Sequence, residues 1–239
     1  MTPVFDHALH SYVDSTDNFK YESVTQWVSK FKKPFDTQTM AQRVANRRKI
    51  PVEQVLEEWD QKRNNSTTFG SKIHKALEHY FTEKKIDETN RTIIDNFHDL
   101  DIDFNLKHTF FEKIVFDKRV RIAGTSDVIE NVGKHLFHVY DFKTNKNFRI
   151  NTKYDEFMLA PVDHLPCTEY FIYAMQLSMY AYLYSKMTGR TVSKLRVLWY
   201  SRDNAENYED LQGAWKIYNL PYLHNEIESC LEYSRRSEF

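Results

Sequence analysis

The chain has 239 residues, and its 33 Lys and Arg almost balance its 34 Asp and Glu, for a formal charge of −1. No global excess of charge therefore marks it for nucleic acid or for a membrane surface. With 41% apolar and 15% aromatic residues it can build one sizeable core, which excludes a disordered chain, and no apolar run approaches the ~20 residues that span a bilayer. Two cysteines, Cys167 and Cys230, can neither frame a disulfide-rich fold nor hold a four-cysteine iron–sulfur cluster.

The N-terminus lacks the apolar core of a secretory signal, and Asp6, Asp14 and Asp17 without an arginine argue against a mitochondrial presequence. The expected location is the cytoplasm. Residues 1 to about 20 mix polar and aromatic types without period and read as an irregular arm. Ser23-Val24-Thr25-Gln26-Trp27-Val28 reads as a hydroxyl-capped helix start, with Val24, Trp27 and Val28 packing inward.

Two helical stretches follow, about 36 to 49 and 52 to 63, with Pro51 at a first-turn position. Asn64-Asn65-Ser66-Thr67-Thr68 reads as a linker. The expected division is an arm and helical appendage over residues 1–65 and a core over 66–239. The core opens on a helix from about 68 to 84, where Ile73, Ala76, Leu77, Tyr80 and Phe81 form an apolar stripe and leave His74 and Glu78 on an adjoining face. Another helix, about 88 to 100, leads to a strand over 108–117 that carries Glu112.

Ala123 to Ile129 and Val139 to Lys143 then read as two strands joined by a turn at Val132-Gly133-Lys134. Alternation sends Asp141 and Lys143 to one side and Phe142 to the other. Asp127 on the neighbouring strand can bring a second carboxylate to the same patch, and two close carboxylates repel unless a proton or a cation lies between them. Hard divalent ions choose such oxygens and share their coordination with phosphates. After Lys143 come Thr144, Asn145, Lys146 and Arg149, a polar exit loop suited to backbone phosphates. The stretch 152–166 reads as irregular, part of a groove wall. A long helix from Tyr170 to Met187, ended by Gly189, carries Gln176 and Tyr180 four apart. Strands over 192–201 and 213–220 and a closing helix from Pro221 to Phe239 complete the pattern.

Gly124-Thr125-Ser126-Asp127 followed by Asp141-Phe142-Lys143 resembles the signature of the PD-(D/E)xK nucleases, in the form found in RecB-like exonucleases such as the mitochondrial genome maintenance exonuclease and phage exonucleases. Gly70-Ser71-Lys72-Ile73-His74 resembles that group's histidine motif, and Gln176-Leu177-Ser178-Met179-Tyr180 its QxxxY motif. The resemblance covers roughly Ser66 to Tyr200. It implies a restriction-endonuclease-like α/β fold, a mixed central sheet flanked by helices with an N-terminal helical appendage. It also implies a magnesium- or manganese-dependent deoxyribonuclease of replication, recombination or repair. Asp127, Asp141 and the Phe142 carbonyl would hold the metal, with His74 completing a position and Glu112 a weaker candidate. Lys143 would orient or activate the attacking water, and Gln176 and Tyr180 would support the site. Some members carry an iron–sulfur cluster; this chain lacks the cysteines for one. Ser-Val-Thr openings in the group stand near substrate, a role that Ser23 could share with its cap.

Charge is distributed unevenly. Residues 30–49 hold Lys30, Lys32, Lys33, Arg43, Arg47, Arg48 and Lys49 against Asp36, whereas residues 203–239 hold eight acids against three bases. A basic face for nucleic acid is therefore compatible with a neutral total, and Lys30, Lys32, Lys33, Arg47 and Arg48 are its candidates. Single-stranded DNA or duplex ends are the expected partners, with RNA and internal cleavage left open, and a non-catalytic nucleic-acid binder is the alternative. There is no GxxxxGK[ST] loop, so any helicase or recombination motor would be a separate partner.

Overall fold

The computed structural model describes residues 3–6, 11–14, 16–100, 102–152, 156–202 and 207–237. It is a mixed α/β fold: one eight-stranded sheet flanked by helices, as expected. The strands are β1 (Val4–Asp6), β2 (Ser11–Val13), β3 (Lys20–Ser23), β4 (Thr109–Asp117), β5 (Ile122–Val132), β6 (Leu136–Lys143), β7 (Thr191–Arg202) and β8 (Gly213–Leu220). The helices are α1 (Val24–Ser29), α2 (Thr37–Arg48), α3 (Val52–Glu83), α4 (Arg91–His98), α5 (Glu169–Thr188) and α6 (His224–Ser237), with a 3-10 turn at Glu88–Asn90 before α4. No helix among the described residues is long and apolar enough to cross a membrane.

Sheet order is β1-β2-β3-β5-β6-β7-β8, with β4 on the other edge of β5. The β5–β6 hairpin forms where the sequence placed it, and Gly133 takes φ +62° in its turn, a conformation that costs a glycine little. One edge of β5 pairs with β4. The other edge is shared: Ile122 and Ala123 pair with parallel β3, and Val128 to Val132 with antiparallel β6. Between these, Gly124 to Asp127 have no strand partner on that edge. The sheet opens there because β3 ends in the capping box of α1, in which Ser23 and Gln26 cap each other's backbone N–H. Beyond Tyr140, β6 continues in register with β7.

The apolar faces explain the layering. Phe137 and Val139 of β6 join Val24, Trp27, Leu177, Leu183 and Ile227 in a core under α1, α5 and α6. Tyr140 and Phe142 turn to the opposite face and join Phe69, Ile73, Leu77, Ile94 and Phe97 under α3 and α4. Burial of each such side chain stabilises the fold by roughly 1.5–3 kcal/mol. Helix α5 is buried from Ala174 to Tyr184, which accounts for a sequence apolar all round.

Three expectations are corrected. The Asn64–Thr68 linker does not exist: α3 runs unbroken from Val52 to Glu83, and the division expected at residue 65 falls inside it. Its first half packs on α2 through Ala41, Ala45, Val55 and Trp59, its second half packs on the sheet, and the exposed Asn/Ser/Thr stretch bridges the two. Packing at both ends overrides the weak helix propensity of those residues. The N-terminal arm is not irregular where described. Its three short strands extend the sheet, with Tyr12, Tyr21, Phe5 and Phe19 packing on Phe116, and runs of three or four residues are too short to show alternation. The helix expected over 88–100 is a 3-10 turn followed by a short α4. Of the irregular stretch 152–166, residues 153–155 lie outside the described set; Met158, Val162 and Leu165 pack into the α1/α5 core. The last two residues of the expected closing helix also lie outside it.

Candidate active site

The opening beside Gly124–Asp127 gathers the motif residues. Across it, Asp127 Oδ2 accepts a hydrogen bond of 2.6 Å from the Phe142 N–H, so a carboxylate takes the place that a ladder carbonyl would hold. Its other oxygen, Oδ1, lies 3.5 Å from His74 Nδ1. His74 reaches the site from α3, and its Nε2 lies 3.0 Å from the Phe142 carbonyl oxygen. Since a carbonyl only accepts, the proton of that bond sits on Nε2. Gly70, one turn earlier on α3, lies where a Cβ would stand 3.2 Å from Thr144 Oγ1.

Glu112 arrives from β4. The β4–β5 ladder skips the Glu112–Asp127 level, and Glu112 has φ +47°, a sparsely populated conformation for a residue with a Cβ. That backbone aims its carboxylate at the neighbouring strand. His74, Glu112 and Asp127 each offer a ligand atom within 4.8 Å of the others. His74 and Glu112, with Gly70, Ser71, Lys75 and Glu78, line a cleft of about 420 Å³.

Asp141 is buried, 2% exposed. Its Oδ2 meets the Lys143 ammonium, yet no hydrogen bond of normal geometry completes that oxygen. Asp141 and Lys143 thus share one side of β6, as alternation requires. Asp141 is not one of the three clustered ligand groups; its first partner is the lysine.

The charges act on one another. Burial opposes ionisation of His74, but the carboxylate of Asp127 outweighs it and lifts the imidazole to about 9. Burial raises the Asp141 carboxyl to about 6 against the pull of Lys143, with Asp127 adding to the rise. Glu112 is lifted to about 7 by loss of water around its carboxyl and then by Asp127, although its side chain keeps an exposed face. Asp127 goes the other way: burial would raise it, and His74 and Lys143 hold it below the ordinary carboxylate range. Burial disfavours the Lys143 charge, but Asp141 and Asp127 raise its pKa further, so it stays an ammonium.

Behind these groups stands α5. Gln176 Nε2 donates to Tyr180 Oη at 3.0 Å, both residues buried. The Tyr180 ring passes so close to β5 that a Cβ on Gly124 would stand 2.6 Å from Tyr180 Cε1 and 2.9 Å from Val24 Cγ2. This is the physical reason for glycine at that position. One residue of the site was missed in the sequence: Tyr173, whose ring lies 5.0 Å from Lys143 Nζ and whose hydroxyl donates to Asn145 Oδ1 at 3.1 Å. Its spacing from Gln176 and Tyr180, three and seven residues, was the available signal. Asn145 is fixed further by Trp199, whose Nε1 donates to its carbonyl at 2.8 Å.

The basic candidates do not gather here. Lys30 pairs with Glu22 at 2.7 Å, Arg48 forks onto Glu58 at 2.6 and 3.0 Å, and Arg149 is tied to Glu169 through Nε at 2.8 Å. Lys33 and Arg47 are exposed and Lys32 is half-buried, on α2 or the segment before it. Lys146 lies exposed on the exit loop.

The donors suit a hard divalent ion: carboxylates, one imidazole, a backbone carbonyl and a buried carboxylate oxygen with incomplete hydrogen bonding. No family model matches the chain, and no curated protein is similar to it. Among solved structures it is similar to the crystal structure of SSO0001, with 17% identity, 90% of this chain and 75% of that chain covered, and a TM-score of 0.37. It is also similar to a candidate exonuclease from Eubacterium rectale, with 12% identity, 91% and 79% covered, and a TM-score of 0.41. Likeness at that level bears on neither family nor chemistry.

Proposed function

We propose that this chain is a divalent-metal-dependent nuclease acting on DNA, by exonucleolytic cleavage of single strands or duplex ends. The observation that carries the reading is the meeting of His74, Glu112 and Asp127 within 4.8 Å beside the paired Asp141 and Lys143. Such a concentration of acids on three neighbouring strands, with the Glu112 and Asp141 carboxyls raised and that of Asp127 lowered, is costly to keep without a cation. A magnesium or manganese ion held there supplies a water of lowered pKa and neutralises charge on phosphoryl oxygens.

The protein's own groups divide the remaining work. His74, Glu112 and Asp127 would hold the ion, and Asp141, paired with Lys143, would add its negative charge beside them. Lys143 acts as a fixed cation that orients the nucleophile and screens the phosphoryl group; its raised pKa opposes duty as a general base. Tyr173 supports the ammonium from below, and the Gln176–Tyr180 pair keeps α5 in register with Gly124. Thr144, Asn145 and Lys146 stand where the flanking phosphates would arrive.

The test uses end-labelled linear and circular single-stranded DNA and linear RNA, in magnesium and in manganese, with wild type, Asp127→Ala, Asp141→Ala and Lys143→Ala. Linear DNA is expected to be shortened by wild type only, with losses of roughly 10²–10³-fold or more in each variant. Circular DNA cut as fast as linear converts the reading to an endonuclease, and preference for RNA to a ribonuclease. Binding without cleavage in both metals leaves a nucleic-acid-binding protein on this fold.

A further inference from the structure

A second cavity lies away from these groups. It holds about 310 Å³ between β3, α1, the β4–β5 turn and α6, and five cations line it: Lys20, Lys30, Arg119, Arg121 and Arg235. Glu22 is the one acid in the lining, and it is engaged by Lys30. Arg119 is held by Asp117. Lys20, Arg121 and Arg235 are exposed and make no ion pair among the described residues. Arg121 is held at φ +59°, with its guanidinium 5.3 Å from the Phe19 ring. Trp27 borders the cavity, is 1% exposed, and its indole N–H has no hydrogen-bond partner.

Unpaired cations converging on a cavity, with a buried donor beside them, need acceptor oxygens and negative charge. Arginine forks and an indole N–H match the oxygens of a phosphate group, and lysine supplies charge without direction. Ile122 at this cavity and Asp127 at the metal cluster lie on the same strand, five residues apart, or about 16 Å at ~3.3 Å per residue. That separation is within the span of a few nucleotides of one strand.

We infer that this pocket binds phosphate, and that the phosphates it takes belong to the strand the active site cuts; the second half rests on the nuclease reading above. The pocket reads no sequence. It anchors a distal phosphate so that the scissile bond is presented at a fixed distance.

The test uses the full chain with chelator present, so that nothing is cleaved. Affinity for a fluorescein-labelled single-stranded oligonucleotide is followed by anisotropy through a salt series. Lys20→Ala with Arg235→Ala is expected to reduce the slope of log affinity against log salt by about 1.4, since each of two phosphates left without its cation accounts for ~0.7. Lys107→Ala with Lys134→Ala, at the other end of β5, is expected to leave the slope unchanged. Equal slopes in wild type and the first variant, or an equal loss in the second, overturns the anchoring of the strand. Separately, inorganic phosphate is expected to shift the Trp27 indole resonance in wild type and not in the Lys20/Arg235 variant. A silent indole overturns the pocket whether or not the protein cuts DNA. A shifting indole in a protein that cuts nothing keeps the phosphate site and removes the nuclease reading alone.

Discussion

Three site groups, His74, Glu112 and Asp141, are held above their ordinary ionisation range, and this makes the metal-free protein sensitive to pH in an unusual direction. Asp141 rises from 3.8 to about 6, Glu112 from 4.5 to about 7 and His74 from 6.5 to about 9. A group whose folded pKa is raised contributes stability that is complete below its unfolded value and lost as pH climbs to the folded one. The three windows join, so the metal-free site loses stability steadily from about pH 4 to about 9. Asp127, lowered below 3.8, works in the opposite sense and only at more acid pH. A cation held by these groups would reverse the balance, because it would bind their deprotonated forms and release their protons. The rise in melting temperature produced by a fixed concentration of manganese should therefore be larger at about pH 8.5 than at about pH 6. Calorimetry with and without chelator measures it, and a rise that ignores pH sinks the ligand assignment. Asp127→Asn should flatten the dependence, since the amide still accepts from the Phe142 N–H while the charge that lifts His74 is gone.

At the scale of elements, α3 joins two packed regions through a stretch that looks like a loop. Asn64 to Thr68 are residues that compete with the helix through their own side chains, and nothing in their pattern reveals that Val55 and Phe69, on either side, are both buried. Helix continuity here is a tertiary effect. Ser66→Pro should therefore cost about 3 kcal/mol or more, since it removes an interior hydrogen bond and strains the preceding turn. A true linker would accept it nearly free. Urea denaturation decides: a midpoint within error of wild type excludes an intact helix in solution. The β5–β6 hairpin stood at the other extreme. Its alternation, its Gly133 turn and its acids were local signals, so strands, faces and the Asp141–Lys143 pair were all legible. Glu112 was only half legible. Its side of β4 follows from alternation, but its positive φ does not. The short strands β1 to β3 were hidden because each holds only three or four residues, and because β3, which ties the other two to the sheet, pairs with β5 about a hundred residues away.

Over the whole molecule, the sheet separates two main cores; of the two smaller clusters, one lies under the N-terminal strands and the other sits apart from the sheet. Ala41, Ala45 and Val55, with Val44, Ile50, Leu56 and Trp59 around them, tie α2 to the first turns of α3. Residues 60–65 of α3, which lead from that cluster to the sheet, are exposed throughout. Cooperativity between the helical hairpin and the sheet therefore runs largely along this solvated helix, held at Lys62 by a hydrogen bond from the Tyr208 hydroxyl, and its fraying costs far less than opening a core. The consequence is a graded stability. Val55→Ala, at a fully buried position, removes about 1–3 kcal/mol of packing from a region with little to spare. Amide exchange across Thr37–Arg48 and the first turns of α3 should then accelerate strongly. Exchange in the paired stretches of β5, β6 and β7 should stay as in wild type, and so should metal binding. Loss of protection spread evenly over all strands would show instead that α2 and α3 fold as one unit with the sheet. In that case the basic residues of α2 would be held rigidly with respect to the active site. The graded outcome lets Lys33 and Arg47 move with the helical hairpin, to an extent set by how far α3 stays wound.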